Sequence, residues 1–275
     1  MACNVILVFD EKKKRNGGVY MIPEERRDKI LGQIIEDEVC SIKKLVAEFG
    51  VSRVTIQRDL TMLEESGQIA KVHGGARLIK PDKNVFESRF NIRIKQNYRK
   101  KRQIAKKALG FARPQGCIFI DSSTTAHVFG VDLFSQNIRD MVIVTNSPSL
   151  LQEAGKHPDY KIISTGGELL HALSMYTGEW VSDFIEKINF DSAFISAAGI
   201  SEDLKITTEN RELSNILTKA IQNSKEVNLL VDSSKLFRKG MITVGDLSCC
   251  TRLITDDAAT KQQRAKLSRS EIEII

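Results

Sequence analysis

The sequence predicts two folded domains: an N-terminal winged helix-turn-helix, mainly α, and a larger C-terminal α/β domain with a mainly parallel sheet. Three observations predict them. Three helix-patterned stretches follow one another between residues 23 and 65, with a tight turn before the third. Two short β-prone runs joined through Gly74-Gly75 come next. From about residue 117, apolar runs of strand length alternate with helical stretches, the pattern of a parallel sheet covered on both faces. The 275 residues are enough for both domains. The suggested division is a flexible extension over 1–20, the winged helix-turn-helix over 21–79, a linker over 80–98, the α/β domain over 99–260 and a tail over 261–275.

In chain order, Lys12-Lys13-Lys14-Arg15-Asn16-Gly17-Gly18 reads as flexible, or as lying before a natural start at Met21. A first helix is expected from Pro23 to about Asp37, with proline in its first turn and Ile30 and Ile34 on one face. A second runs from Ser41, an N-cap, to Phe49, with Leu45 and Phe49 turned inward. Gly50-Val51-Ser52 makes the turn. Ser52 then caps a third helix to about Glu65, in which Ile56, Leu60 and Leu63 form the buried stripe and Gly67 is the C-terminal glycine. The hairpin Ile69–Leu78 follows. In this layout the third helix enters a DNA major groove and the hairpin touches the backbone or minor groove. Ser52, Arg53, Thr55, Gln57 and Arg58 of the helix, with Lys71, His73 and Arg77 of the hairpin, are the candidate contacts to double-stranded DNA. A protein-interaction role for the same unit is an alternative that Arg53, Arg58, Lys71 and Arg77 argue against.

The stretch from Lys80 to Gln96 has little apolar periodicity and reads as a linker. The net charge of +6 is concentrated there: residues 81–107 carry ten basic and two acidic side chains, which reads as a solvated linker or surface helix or, after a candidate DNA-binding unit, as a segment near phosphate. A helix near Lys100 is expected, with Ile104, Ala108 and Phe111 on one face. Strands are expected at Cys117–Ile120, Met141–Val144, Tyr160–Ile163, Ala193–Ile195 and Val227–Val231. Helices are expected near Thr124–Phe134, Pro148–Ala154, Gly178–Ile188 and Glu209–Asn223.

The residues just beyond the strands point to chemistry. The carboxyl ends run into Asp121-Ser122-Ser123-Thr124-Thr125, Thr145-Asn146-Ser147, Ser164-Thr165-Gly166-Gly167, Ala197-Ala198-Gly199 and Asp232-Ser233-Ser234-Lys235. Open parallel sheets bind ligands outside those ends. Hydroxyl, amide and glycine residues can approach a polyol closely, and a helix N-terminus favours an anion. Turn formation alone accounts for one such loop, but five at one end of a sheet predict a ligand crevice.

Other function classes lack their signatures. There is no G-x-x-x-x-G-K-[ST] and no G-x-G-x-x-G after a strand. The odd count of five cysteines, without C-x-x-C, argues against a disulfide framework and a zinc site. Cys249 and Cys250 read as reduced thiols rather than a redox pair. His73, His127, His157 and His171 show no metal-ligand spacing and read as surface or turn residues, and Trp180 reads as a packing residue on a helix. No metal, cofactor or catalytic residue is assigned. An isomerase-like use of Asp121, Asp232 and Lys235 is the rival to simple ligand binding. Apolar content of 41% and charged content of 28% are ordinary for a soluble chain. No apolar run approaches the ~20 residues that span a bilayer. The short run Val5–Phe9 meets Asp10 and Glu11 at once, so neither a secretory leader nor a membrane partner is expected, and the reading is cytoplasmic.

Taken together, these motifs resemble the DeoR family of bacterial regulators. Glu25-Arg26-Arg27, Val51-Ser52, Thr55-Ile56-Gln57-Arg58-Asp59-Leu60 and His73-Gly74-Gly75-Ala76 are similar to its DNA-binding domain. Lys101-Arg102, Asp121 to Thr125, Thr145-Asn146-Ser147, Gly166-Gly167, Thr207-Thr208 and Asp232 to Lys235 are similar to successive blocks of its sensor domain. The resemblance implies a ribose-5-phosphate-isomerase-like fold for that domain. It also implies a transcription regulator, a repressor of a carbohydrate operon, controlled by a phosphorylated sugar. The residues expected at the effector are Asp121, Ser122, Ser123, Thr124, Thr125, Asn146, Gly166, Gly167, Gly199, Thr207 and Lys235. A homo-oligomer, dimer or tetramer, is expected because paired recognition helices ~34 Å apart match repeated half-sites. Three positions depart from the family pattern: Gln57 replaces an arginine, and Ser123 and Lys205 stand where glycine is common.

Overall fold

The computed structural model describes residues 22–65, 69–78, 89–136, 138 and 140–275. The expected extension over 1–20, Gly67 and residues 80–88 of the expected linker lie outside the described residues. The chain divides into two compact units, Met1–Ile79 and Lys80–Ile275.

The first unit contains α1 (Pro23–Asp37), β1 (Val39–Ser41), α2 (Ile42–Phe49), α3 (Arg53–Glu65), β2 (Ile69–Val72) and β3 (Gly75–Leu78). Local chemistry sets the helix starts. The Ser41 hydroxyl accepts from the Lys44 amide at 3.1 Å and the Ser52 hydroxyl from the Thr55 amide at 3.1 Å, satisfying first-turn donors that have no partner inside the helix. Gly50, at φ 63, ends α2 in the left-handed region that suits glycine. Ile30, Ile34, Leu45, Ile56, Leu60 and Leu63 close into one core with Ile69 and Leu78 of the hairpin.

The hairpin gains a third strand that the sequence pattern does not show. Strand β1 pairs antiparallel with β3, giving the order β1-β3-β2. Three residues are too few to show a strand period, and their pairing partner lies more than thirty residues on. Gly75 allows the approach: a Cβ there would stand 2.2 Å from the Cys40 carbonyl oxygen.

The second unit opens with α4 (Arg89–Lys95) and α5 (Tyr98–Leu109), followed by β4 (Cys117–Ile120), α6 (Thr124–Phe134), β5 (Val142–Thr145), α7 (Pro148–Ala154) and β6 (Lys161–Ser164). Next come β7 (Glu168–Leu170), β8 (Met175–Thr177), α8 (Glu179–Glu186), β9 (Phe190–Ile195), β10 (Gly199–Ile200), β11 (Lys205–Thr208) and α9 (Arg211–Gln222). The chain finishes with β12 (Ser224–Leu230), β13 (Ile242–Asp246), β14 (Arg252–Ile254), α10 (Lys261–Leu267) and β15 (Glu273–Ile274). Seven strands form one parallel sheet in the order β15-β14-β12-β9-β4-β5-β6. Its residues alternate between two cores. Ile118 and Ile120 face Ile104 of α5, Phe129 of α6 and Leu150 of α7, whereas Phe119 faces Val181 of α8 and Leu217 of α9. Strands β10, β11 and β13 make a small antiparallel sheet, and β7 and β8 a hairpin.

Four expectations need correction. Residues 89–95 of the expected linker are helical, because Phe90 is buried and Ile94 packs against the α5–α6 core. The expected tail is part of the domain. Thr260 and Gln263 cap α10 reciprocally, Leu267 is fully buried, and β15 extends the parallel sheet beside β14. Trp180 lies on α8 but is 72% exposed, since the helix turns Val181 and Ile185 inward instead. His127 is no surface or turn residue. It sits within α6, edge-on to Phe90 at 5.5 Å, with its Nδ1 enclosed and unpartnered.

Candidate functional site

In the first unit the DNA-contact candidates lie on α3 and the hairpin. Arg53, Gln57 and Arg58 are exposed on α3, and Thr55 is half-buried. The Ser52 hydroxyl is engaged as the helix cap and also meets the Thr55 hydroxyl at 2.9 Å. On the hairpin, Lys71, His73 and Arg77 are exposed. Lys71 is not a bare cation: its ammonium meets Glu64 at 3.1 Å and the Thr61 hydroxyl at 3.1 Å, so it also ties the wing to α3. Sequence reasoning missed what fixes α3 from behind. Asp59, next to Arg58, is buried and accepts from the Arg26 guanidinium of α1 at 2.6 Å. Its signal was an acid among the apolar positions of the helix.

In the second unit the carboxyl ends of β4, β9 and β12 open into a cavity of about 490 Å³. Ser122, Ser123, Thr124 and Lys235 line it. Ser123 caps α6: its hydroxyl accepts from the Ala126 amide at 3.2 Å and donates to Asp121 at 2.6 Å. The glycine usual at this position could not supply that cap. Lys235 is reached by β12 and donates to the Ala197 carbonyl at 2.8 Å. Its ammonium is held below the usual lysine range, chiefly by burial, with Arg93 and Arg238 adding repulsion and Asp232 and Asp121 opposing it.

Asp121 organises the site without facing it. It is fully buried, and both carboxylate oxygens are occupied: one accepts from the Ser123 amide at 3.0 Å, the other from the Ser196 amide at 3.0 Å. Burial pushes its carboxyl up to about 6, although these hydrogen bonds pull the other way. The remaining sequence candidates sit around the cavity rather than on its wall. Thr125 is buried in the first turn of α6. Asn146 donates its amide to the Tyr176 carbonyl at 3.3 Å, joining the β5 loop to β8. Gly166 and Gly167 both have positive φ, and a Cβ on Gly167 would stand 2.6 Å from the Thr177 carbonyl oxygen. Gly199 and Thr207 seat the loop carrying Arg238 and Lys239. A Cβ on Gly199 would stand 2.1 Å from the Arg238 carbonyl oxygen, and the Thr207 hydroxyl accepts from the Gly240 amide at 2.8 Å.

Several lining residues were missed. Ser196 directly follows β9, and its buried hydroxyl has no hydrogen-bond partner. It follows its strand as the other hydroxyl residues do, one position before the Ala197-Ala198-Gly199 run. Arg93 lies in the expected linker, and Arg238 and Lys239 lie in a loop without periodicity. Lys205, where glycine is usual, pairs with Asp246 across β11 and β13. Among the described residues no group of histidine, cysteine, aspartate and glutamate is arranged to hold a metal ion. Nor is any helix there long and apolar enough to cross a membrane.

Comparison with known proteins covers both units. Residues 26–82 match the DeoR-like helix-turn-helix domain and residues 96–257 the DeoR C terminal sensor domain. The glycerol-3-phosphate regulon repressor of Escherichia coli (strain K12) is 30% identical over 84% of this chain and 90% of its own length. The HTH-type transcriptional regulator GlpR of Haloferax volcanii is 28% identical over 93% and 98%. The L-fucose operon activator of Escherichia coli (strain K12) is 27% identical over 84% and 94%. A solved ribose 5-phosphate isomerase from Methanocaldococcus jannaschii aligns over 51% of this chain and 55% of that one, at 18% identity and a TM-score of 0.38, a likeness too slight to bear on fold or chemistry. With one unit matching the family's DNA-binding domain and the other its sensor, the chain belongs to the DeoR family of helix-turn-helix transcriptional regulators.

Proposed function

We propose that the chain binds an operator through α3 and the wing, represses a carbohydrate-utilisation operon, and is released or retained according to a phosphorylated sugar in the C-terminal cavity. The observation that carries the effector half is the convergence on one cavity of the half-buried Lys235, the unpartnered Ser196 hydroxyl and the first turn of α6. A phosphate there meets a cation, a hydroxyl and amides that point outward along the helix axis. The rest of the cavity offers Glu209 and Asn210, which suit sugar hydroxyls. The repressor sign follows the glycerol-3-phosphate regulon repressor, 30% identical to this chain against 27% for the L-fucose operon activator.

The DNA half rests on the exposed Arg53, Gln57 and Arg58 of α3. A dimer or tetramer presents two such helices to repeated half-sites. The effector acts by binding one arrangement of the DNA-binding units better than another, since only differential affinity shifts an equilibrium. Turnover of the sugar is disfavoured by Asp121, whose oxygens are all engaged away from the cavity. Titration calorimetry with a panel of pentose and hexose phosphates and their unphosphorylated sugars tests this reading. Lys235→Met should weaken the sugar phosphate by roughly 10–100-fold, the equivalent of a lost charged hydrogen bond. Equal binding of phosphorylated and free sugars, or full affinity in the variant, contradicts it.

A further inference from the structure

Helix α4 has seven residues, too few to hold itself together. Yet Arg93 on it and Gln96 just beyond it form part of the cavity wall. What holds the helix is a lysine. Lys101, in α5, is 3% exposed, and its ammonium donates to the carbonyl oxygens of Arg93, of Ile94 at 3.4 Å and of Gln96 at 2.5 Å. These are the carbonyls that the end of a helix leaves without amide partners, and a cation is the group that suits them.

The same corner is fastened to the loop that carries Lys235. Asn97 turns the chain at φ 54, and its amide donates to the Ser234 hydroxyl at 3.1 Å. Lys100 donates to the Ser233 hydroxyl at 2.9 Å. On its other side, Phe90 of α4 rests against His127 of α6, the helix whose first turn borders the cavity. Helix α4 therefore touches α6 directly, and the corner that follows it is fastened to the loop of Lys235. It is also the first described element after β3, and so stands where the chain arrives from the DNA-binding unit.

We propose that Lys101 is the positioning residue that makes α4 a wall of the effector cavity, so that an anion in the cavity tightens α4 and thereby the start of the sensor unit. This rests on the sugar-phosphate reading above and assigns its regulation. Without an anion the arrangement is costly. Burial and the neighbouring Lys235 push the Lys101 ammonium down to about 8, with Arg93 adding to the repulsion and Asp232 opposing it. A bound phosphate relieves the repulsion among these cations and rewards the docked position of α4.

Hydrogen exchange of the full chain, with and without inorganic phosphate and ribose 5-phosphate, tests the inference. Either anion should slow exchange several-fold in the amides of α4 as well as in residues 122–126. Lys101→Met should lose the protection of α4 while strands β4 and β9 stay protected, and Lys101→Arg should restore it. If the methionine variant also loses strand protection, Lys101→Gln, polar but uncharged and one bond too short to take the place of Nζ at the three carbonyls, replaces it in the comparison. Protection of residues 122–126 without α4, or protection of α4 that survives in the methionine or glutamine variant, overturns the inference and leaves the pocket standing. Protection of neither region by either anion removes the sugar-phosphate reading itself.

Discussion

Asp121 and His127 show what single residues do and do not disclose. A carboxylate followed by hydroxyl residues at a strand end is legible as a ligand loop. That Asp121 turns inward and holds the Ser123 and Ser196 amides is not, because the Ser196 amide lies 75 positions along the chain. His127 is equally opaque, since its partner Phe90 comes from a helix with no visible period. Burial holds the His127 imidazole down to about 4, against a slight opposing effect of Glu153. The sign is that of a group whose folded value is depressed. Its contribution to stability is complete above the ordinary value of about 6.5 and is lost as the pH falls toward 4. The urea midpoint of the wild type should therefore drop between pH 7.5 and pH 5 by more than that of His127→Phe. The same drop in both proteins would show that this imidazole is not the group concerned.

At the scale of elements, long periodic stretches are legible and short ones are not. Helix α3 is readable from Ile56, Leu60 and Leu63, and its cap from Ser52, because both signals are local. Strands β1, β10 and β15 have three residues or fewer, and their identity depends on the strand each one meets. The two faces of α3 separate two kinds of failure. Arg58 is exposed, so Arg58→Ala should cost about 1–3 kcal/mol of operator affinity and leave stability unchanged. Asp59 is buried against Arg26, so Asp59→Ala should lower unfolding stability by about 3–5 kcal/mol by removing the carboxylate that a mostly buried guanidinium faces. Fluorescence-based DNA titration and chemical denaturation on the same two variants distinguish them. A stable Asp59→Ala protein would show that the pair does not hold α3, and full affinity in Arg58→Ala would remove it from the contact set.

At the scale of the whole molecule, the order of two units, the parallel sheet and the end of it at which the cavity opens are all readable from the chain. The cavity is only half readable. Residues at strand ends announce themselves by type and position, as Ser122 to Thr124 and Lys235 do. Residues delivered by packing do not: Arg93 arrives because Phe90 is buried and Lys101 holds its helix, and Arg238 because Gly199 leaves room for its carbonyl. The same limit explains the supposed tail, whose strand β15 is defined only by β14 beside it.

The central claim joins the two units: operator binding by one, set by a sugar phosphate in the other. Its most direct test is the affinity of the full chain for DNA fragments from its own genome, at two salt concentrations, with and without a panel of sugar phosphates. The account predicts tight, sequence-selective binding that weakens steeply with salt, as phosphate contacts require, and that one sugar phosphate changes. Selective binding indifferent to every sugar phosphate, or no selective binding at either salt concentration, would contradict it.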